Sequence, residues 1–314
     1  MNILFVTEKW CDGSPGVGLT NNFHNLFNSF QQNNREHQFN TIHIDESYVV
    51  YRRPIDDVLL NYCENWKVDI IFFCLLGDSA INPSPETFLK LKNKGIKQCF
   101  IWPDTGQGWA INTIYSLEQV ADLQVSWDMP TSNFHDKLPK ISKYLSLWTP
   151  LDNKLYAWKP IENRPNDIAF FGRPFLERQK YLSYIQSKLP NFTFGGGQRE
   201  QRLSPECYAE SIGNSKIIIN FPYHALGFSQ LKGRVLESMA SGSLVLELEN
   251  KSTSLLFEAG HDYVSCSSID DMIEKSKYYL NDEKELERVA TNGYKKYFNN
   301  YTAKHYWDLI FKNL

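Results

Sequence analysis

The 314-residue chain lacks most of the features by which a sequence declares its chemistry. Its six cysteines, at positions 11, 63, 74, 99, 207 and 266, form no Cys-x-x-Cys pair. Cys63, Cys74 and Cys99 lie in apolar segments and read as buried thiols rather than metal ligands. No Gly-Lys-Ser/Thr closes a glycine loop, which excludes a P-loop. No apolar run approaches the length of a membrane span. Basic residues are not in excess: 33 Lys and Arg face 36 Asp and Glu, a net charge of -3, which excludes bulk binding to nucleic acid. Internal repeats and low-complexity tracts are absent. Asn2 to Val6 is of strand length and is followed by charges, so no signal peptide is read there. With no cysteine pairing in view, the expected compartment is reducing cytoplasm, and triplets such as Asn191-Phe-Thr carry no information.

What is present is enough for two packed domains. Hydrophobic residues make up 42% of the chain and aromatics 14%, so a core is easily supplied, and the length suits two domains of ordinary size. Short, continuously apolar runs alternate with amphipathic segments through the first half. Strands are expected at Asn2–Val6, Phe39–Asp45, Val68–Leu76, Gln98–Trp102 and Ala121–Trp127. Helices are expected at Leu19–Phe30, Ile55–Trp66 and Pro85–Lys94. This rhythm predicts a doubly wound α/β domain with ligands beyond the carboxyl ends of its strands. Asp78, Asp104 and Asp128 fall at such ends, where a helix cap is the ordinary alternative to a functional role. The loop carrying Gly13, Gly16 and Gly18 is spaced Gly-x-x-Gly-x-Gly, unlike the dinucleotide fingerprint, and reads as a flexible loop near a cleft, touching donor phosphates or acceptor.

Pro160, Pro165 and the polar residues between them read as a linker. A second βα series follows. Asp167–Gly172 is a strand entering a glycine turn, with Arg173 next and Arg178 opening a helix. Phe192–Gly195 is another strand, and Ser215–Asn220 a third. Helices are expected at Ile269–Leu280, Glu283–Phe298 and Thr302–Phe311. The stretch GFSQLKGRVLESMASGSLVLE (227–247) is the densest in signal. Leu231, Val235 and Met239 recur at helical spacing, with Leu236 and Ala240 widening the stripe. Lys232 falls in the first turn, where a cation is unfavourable unless an anion is near. A helix starting after Gly227 leaves N–H groups free to hold a phosphate, with Glu237 one turn deeper and able to accept from ribose hydroxyls. The same spacing equally describes Arg234 and Glu237 as a surface ion pair at i, i+3.

This block resembles the Lys/Arg-x-x-Glu-x-x-Ala-x-Gly segment of GT-B glycosyltransferases. The similarity is closest to the spore-maturation-protein-type (CgeB-like) bacterial group. Residues 121–128, 148–152, 167–173 with Arg178, and 208–220 resemble further segments of that family in the same order. The resemblance implies a GT-B fold: two Rossmann-like doubly wound α/β domains facing an interdomain cleft. It implies an acceptor-side domain at 1–155, a nucleotide-sugar domain at 156–299, and a C-terminal helix at 300–314 packing back toward the first. It also implies hexosyltransferase-like transfer from a UDP- or GDP-linked sugar, with no metal and no cofactor beyond that co-substrate. The acceptor is a glycan, protein or small molecule, and neither a nucleic-acid partner nor a transmembrane segment is expected. Carried over by residue, Glu237 binds the donor ribose, Gly172 and Arg173 face the diphosphate, and Lys232 neutralises it, with Gly195 and Arg234 also counted as donor-binding. Ser229 departs from the pattern, standing where many retaining relatives have their first glutamate.

Such chemistry needs preorganised positive charge aimed at the leaving diphosphate. Lys232, Arg173 and His224 are candidates. An inverting reaction also needs a base; Asp104, beside Gly106 and Gly108, is the first choice, with His224, Asp12 and His24 as further candidates. Two other readings use the same architecture. One is a degenerate GT-B protein that binds nucleotide or sugar without transferring it. The other is a nucleotide-sugar epimerase or phosphorylase, which works without an acceptor.

Overall fold

A computed structural model of the chain describes residues 1–77, 80–130, 143–175, 177–197, 202–223 and 227–314. The chain divides into two compact units, Met1–Asp152 with Ala303–Leu314, and Asn153–Thr302.

In the first unit, β1 (Asn2–Thr7) is buried from Ile3 onward, and its apolar run suits a strand covered on both faces. The helical segment after it begins with Thr20 capping α1 (Asn21–Phe23). It widens into a π-helical turn at His24–Asn28 and continues as α2 (Ser29–Asn33). The strand β2 (Gln38–His43) stops two residues earlier than its apolar pattern suggests. Asp45 turns back instead, and its carboxylate accepts the backbone N–H of Lys9 at 2.9 Å and of Trp10 at 2.8 Å. The remaining elements are α3 (Ile55–Trp66), β3 (Ile70–Phe73), α4 (Pro85–Asn93), β4 (Lys97–Trp102), α5 (Gly108–Ser116), β5 (Leu123–Ser126) and β6 (Tyr144–Ser146). All six strands are parallel, in the order β2-β1-β3-β4-β5-β6.

The second unit starts in what reads as a linker but is packed. Arg164 is buried, donating through Nη1 to Ser215 O and Ser243 Oγ and through Nη2 to Lys159 O and Ser241 O, all at 2.6–2.9 Å. A guanidinium that satisfies four acceptors staples 159–164 to the sheet, so the two prolines bend a fixed strap.

From there run β7 (Asn166–Phe171), α6 (Glu177–Lys188), β8 (Phe192–Gly195), α7 (Pro205–Gly213), β9 (Ser215–Asn220), α8 (Gly233–Ala240), β10 (Leu244–Leu248), α9 (Lys251–Ser254), β11 (Val264–Cys266), α10 (Ile269–Asn281) and α11 (Glu283–Asn300). The sheet is again wholly parallel, ordered β11-β10-β9-β7-β8. Its core is aliphatic around Ile217, Ile219, Leu244 and Leu246, with α10 and α11 adding Met272, Leu286 and Val289.

The last helix, α12 (Ala303–Asn313), belongs to the first unit. Trp307 is fully buried, edge-on to Phe5, Phe30 and Phe72, and its indole N–H donates to Ser29 Oγ at 3.0 Å. Burying a tryptophan among three phenylalanines contributes several kcal/mol, on the order of 3–5 by the cost of truncating such a side chain. No helix among the described residues is long and apolar enough to cross a membrane.

Candidate functional site

In the second sheet the chain passes from β7 to β8 on one side and later places β9 on the other. Ligands of such sheets bind beyond the carboxyl ends of the strands where this reversal occurs. One side chain spans that point. Arg234 donates through Nε to Phe171 O, the end of β7, at 2.9 Å, and through Nη1 to Asn220 Oδ1, the end of β9, at 2.7 Å. Its guanidinium lies over the Phe170 ring, 4.4 Å from the centroid.

The helix that carries Arg234 is held by its apolar stripe, with Val235, Leu236, Met239 and Ala240 buried. It begins at Gly233, so Lys232 is the N-cap residue rather than part of the first turn. The first N–H groups of a helix generally lack an intrahelical acceptor, and here Val235 N turns back to Lys232 O at 3.0 Å. Gly172 explains itself against the same arginine: a Cβ there would run into Arg234 Nη2, and its φ of 151° is one that side-chain-bearing residues rarely adopt. Its N–H donates to Gly195 O at 2.9 Å, and Gly196 packs so closely that a Cβ on it would lie 3.0 Å from Gly172 N.

A second arginine joins the cluster. Arg178 donates through Nη1 to Arg173 O at 3.0 Å, and its guanidinium lies 5.5 Å from the Phe170 centroid and 5.8 Å from that of Phe221. Its buried Nε has no hydrogen-bond partner. Burial and then the charge of Arg234 bring its pKa down to about 10. Neither arginine is ion-paired with a carboxylate among the described residues. Two like charges gathered around one ring form a site whose complement is an anion, with the Glu237 carboxyl close enough to feel the charge of Arg234.

Glu237 faces inward with 6% exposure, so the surface-ion-pair reading of Arg234 and Glu237 is set aside. Its Oε2 accepts the Tyr208 hydroxyl at 2.7 Å. Its Oε1 lies beside Gly233, where an added Cβ would come within 3.1 Å of it. Burial pushes the Glu237 carboxyl up, opposed by Tyr208, by the charge of Arg234 and by Tyr156. Burial and the Glu237 charge raise the Tyr208 phenol well above its usual range. The carboxyl is thus steadied by Tyr208 and Tyr156, with one oxygen at the helix start, and its existing partners are themselves hydroxyl groups.

Not every expected residue joins the cluster. Lys232 is half-buried and its ammonium donates to Gln230 Oε1. The Arg173 side chain is exposed, 5.9 Å over the Phe175 ring, and only its carbonyl takes part. Asp104 belongs to the first unit, half-buried after β4, where it accepts Gln107 Nε2 at 3.1 Å. Asp128 is buried and accepts from Thr105 N at 2.6 Å and Thr105 Oγ1 at 2.7 Å, tying two loops of that unit together.

The loop with Gly13, Gly16 and Gly18 is pinned at its base by backbone contacts. Cys11 N donates to Gly18 O at 2.9 Å, and Trp10 bridges Leu19. His24 is buried against Asn28 Nδ2 at 3.0 Å. His224, Asp78 and the Asp12 side chain lie outside the described residues.

Two contributors escape a reading of spacing alone. Arg178 is legible only as a helix start until β7 and β9 bring Phe170 and Phe221 beneath it. Tyr208 sits 29 residues from Glu237 and is brought to it only by the packing of α7 on α8. A third signal was visible: Glu247 is the single charged residue in the otherwise apolar strand Leu244–Leu248.

Residues 167–312 match the family described as glycosyl transferase-like, so the family signature lies over the second unit and the last helix. No curated protein matches the chain. Among solved structures the chain is similar to HepE of Anabaena in complex with UDP-glucose, at TM-score 0.67 and 9% identity over 100% of both chains. It is similar also to sucrose-phosphate synthase of Thermosynechococcus elongatus, at TM-score 0.66 and 9% identity over 99% of this chain and 98% of that one. A glycosyltransferase of Rickettsia africae ESF-5 follows at TM-score 0.61 and 11% identity over 99% and 97%. At such identities the likeness is one of fold: two Rossmann-like parallel-sheet α/β domains of the GT-B kind.

Proposed function

We propose that the protein is a glycosyltransferase that takes a sugar from a nucleoside-diphosphate donor, UDP- or GDP-linked, and that its second unit holds the donor. The observation that carries this reading is the pair Arg178 and Arg234, two cations at the switch point of the second sheet with no ion pair to a carboxylate among the described residues. The glycosyl transferase-like match over the same residues supports it. So does HepE, which shares the fold and whose solved complexes contain UDP and UDP-glucose.

In this reading the diphosphate lies against Arg178, Arg234, Lys232 and the opening N–H groups of α8, beside the turn at Gly172 and Gly195. As the sugar–phosphate bond breaks, negative charge grows on the departing phosphate, and fixed cations and N–H dipoles stabilise it without reorganising. These are the chain's own charges, so the reaction is proposed to proceed without a divalent metal. Glu237, steadied by Tyr208, accepts from the ribose hydroxyls. If transfer inverts the anomeric centre, Asp104 is the proposed base, with His224 as the second candidate. Six free thiols, four of them buried, support a reducing, cytoplasmic setting. Assignment to the CgeB-like group is part of the same proposal.

The test is nucleoside-diphosphate release from UDP- and GDP-sugars by the purified protein. Slow release with at least one donor is expected, and Lys232→Ala is expected to lower it about 100-fold. Tight donor binding with no release, alone or with added acceptors, favours a binding protein, the reading that Ser229 supports. Neither binding nor release with any donor overturns the proposal.

A further inference from the structure

Strand β10 is apolar except for Glu247, whose side chain is fully buried. A carboxyl group there costs several kcal/mol of desolvation that an aliphatic residue would not incur, so its contacts must repay it. Those to side-chain amides run through one oxygen. Glu247 Oε1 accepts Asn220 Nδ2 at 2.7 Å and Asn250 Nδ2 at 3.1 Å, while Oε2 has no partner.

Each asparagine leads to a cation of the donor site. With its amide nitrogen held by Glu247, Asn220 must turn its Oδ1 outward, and that oxygen receives Arg234 Nη1 at 2.7 Å. Asn250, whose Nδ2 also donates to Gln230 O at 2.9 Å, fixes the backbone of the residue whose side chain receives the Lys232 ammonium. Without an acceptor behind it, the Asn220 amide could flip and present N–H groups to the guanidinium, which accepts nothing.

We propose that Glu247 is a positioning residue of the donor site, setting Arg234 through Asn220 and Lys232 through Asn250 and Gln230. This rests on the donor reading given above. It assigns a role to a residue that touches no ligand: one buried oxygen sets the spacing of two cations that grip one diphosphate.

The experiment is calorimetric titration of UDP and GDP into the full chain. Glu247→Leu removes the acceptor and is expected to weaken binding about 10-fold, the scale of a lost charge-assisted contact. Glu247→Gln keeps an oxygen for both asparagines and is expected to stay within about 3-fold of the unsubstituted protein. In an Arg234→Ala background the Leu substitution is expected to weaken binding by no more than about 3-fold, because one of its two arms has lost its target.

Asn220→Ala cuts the same arm without disturbing β10, and is expected to match the Arg234 share of the loss if Glu247→Leu does not fold. Equal affinity of Glu247→Leu and the unsubstituted chain overturns the proposal. So does an equal loss with and without Arg234, or no loss in Asn220→Ala. If Arg234→Ala and Lys232→Ala themselves bind undiminished, the donor reading falls and takes the positioning role with it.

Discussion

Arg234 Nη1 stands 2.7 Å from Asn220 Oδ1, and that hydrogen bond joins the first turn of α8 to the end of the central strand β9. The contact orients a guanidinium whose remaining face lies over Phe170 and whose Nη2 occupies the space above Gly172. An arginine fastened at two points to strand ends is preorganised, and a preorganised cation loses little side-chain freedom when an anion arrives.

The Gly172 contact gives the first prediction. Gly172→Ala forces either the new methyl or the Arg234 guanidinium to move, at a φ that alanine rarely adopts. It is expected to destabilise the fold by roughly 1–3 kcal/mol and to weaken UDP or GDP binding about 10-fold or more, since the cation is displaced. Urea unfolding and calorimetry on the same sample separate the two effects.

Arg178 makes the opposite trade. It is half-buried, has an unsatisfied Nε and is repelled by Arg234. Arg178→Met keeps the aliphatic contact with Phe170 and Phe221 but removes the charge. The variant is expected to melt at or above the temperature of the unsubstituted protein and to lose about 100-fold in donor turnover. A drop in both, measured by thermal shift and product release, would mark Arg178 as structural.

Much of this architecture is legible in the sequence, and the parts that are not have physical causes. The helix Ile55–Trp66 is readable because its period is clean and Gly- and Pro-free. The strand expected to run to Asp45 ends at His43 because a carboxylate that can collect two backbone N–H groups is worth more as a loop anchor than in a strand. The segment 160–165 reads as a linker because prolines carry that meaning on average; three of the four acceptors that hold Arg164 come from distant residues, Ser215, Ser241 and Ser243, invisible to any local window. At the site, Glu237 and Arg234 are marked by motif. Arg178 and Tyr208 are marked only as members of resembling segments, and their partners, like those of Glu247, appear when parallel strands bring Phe170, Phe221, Asn220 and α8 together.

Glu247 also makes stability depend on pH. Burial, opposed by Thr253, Asn250 and Asn220, raises its pKa from 4.5 to about 7. Between those values the folded protein holds a proton that the unfolded chain has released, so stability falls as pH rises through this window. The loss approaches about 3 kcal/mol by pH 8, taking 1.36 kcal/mol per pKa unit. Glu247→Gln is expected to be free of this slope. Urea midpoints at pH 5 and pH 8 for both proteins check it; parallel profiles would mean that the carboxyl is already ionised at pH 5.

As proposed, Glu237 with Arg178 and Arg234 forms a nucleoside-diphosphate site. Isothermal titration of UDP and GDP into the unsubstituted protein and into Glu237→Ala addresses it directly. Binding of at least one of the two is expected, weakened about 10-fold or more by the substitution, in a variant that still melts cooperatively. Equal affinity in both proteins, or no binding of either nucleotide, would contradict it.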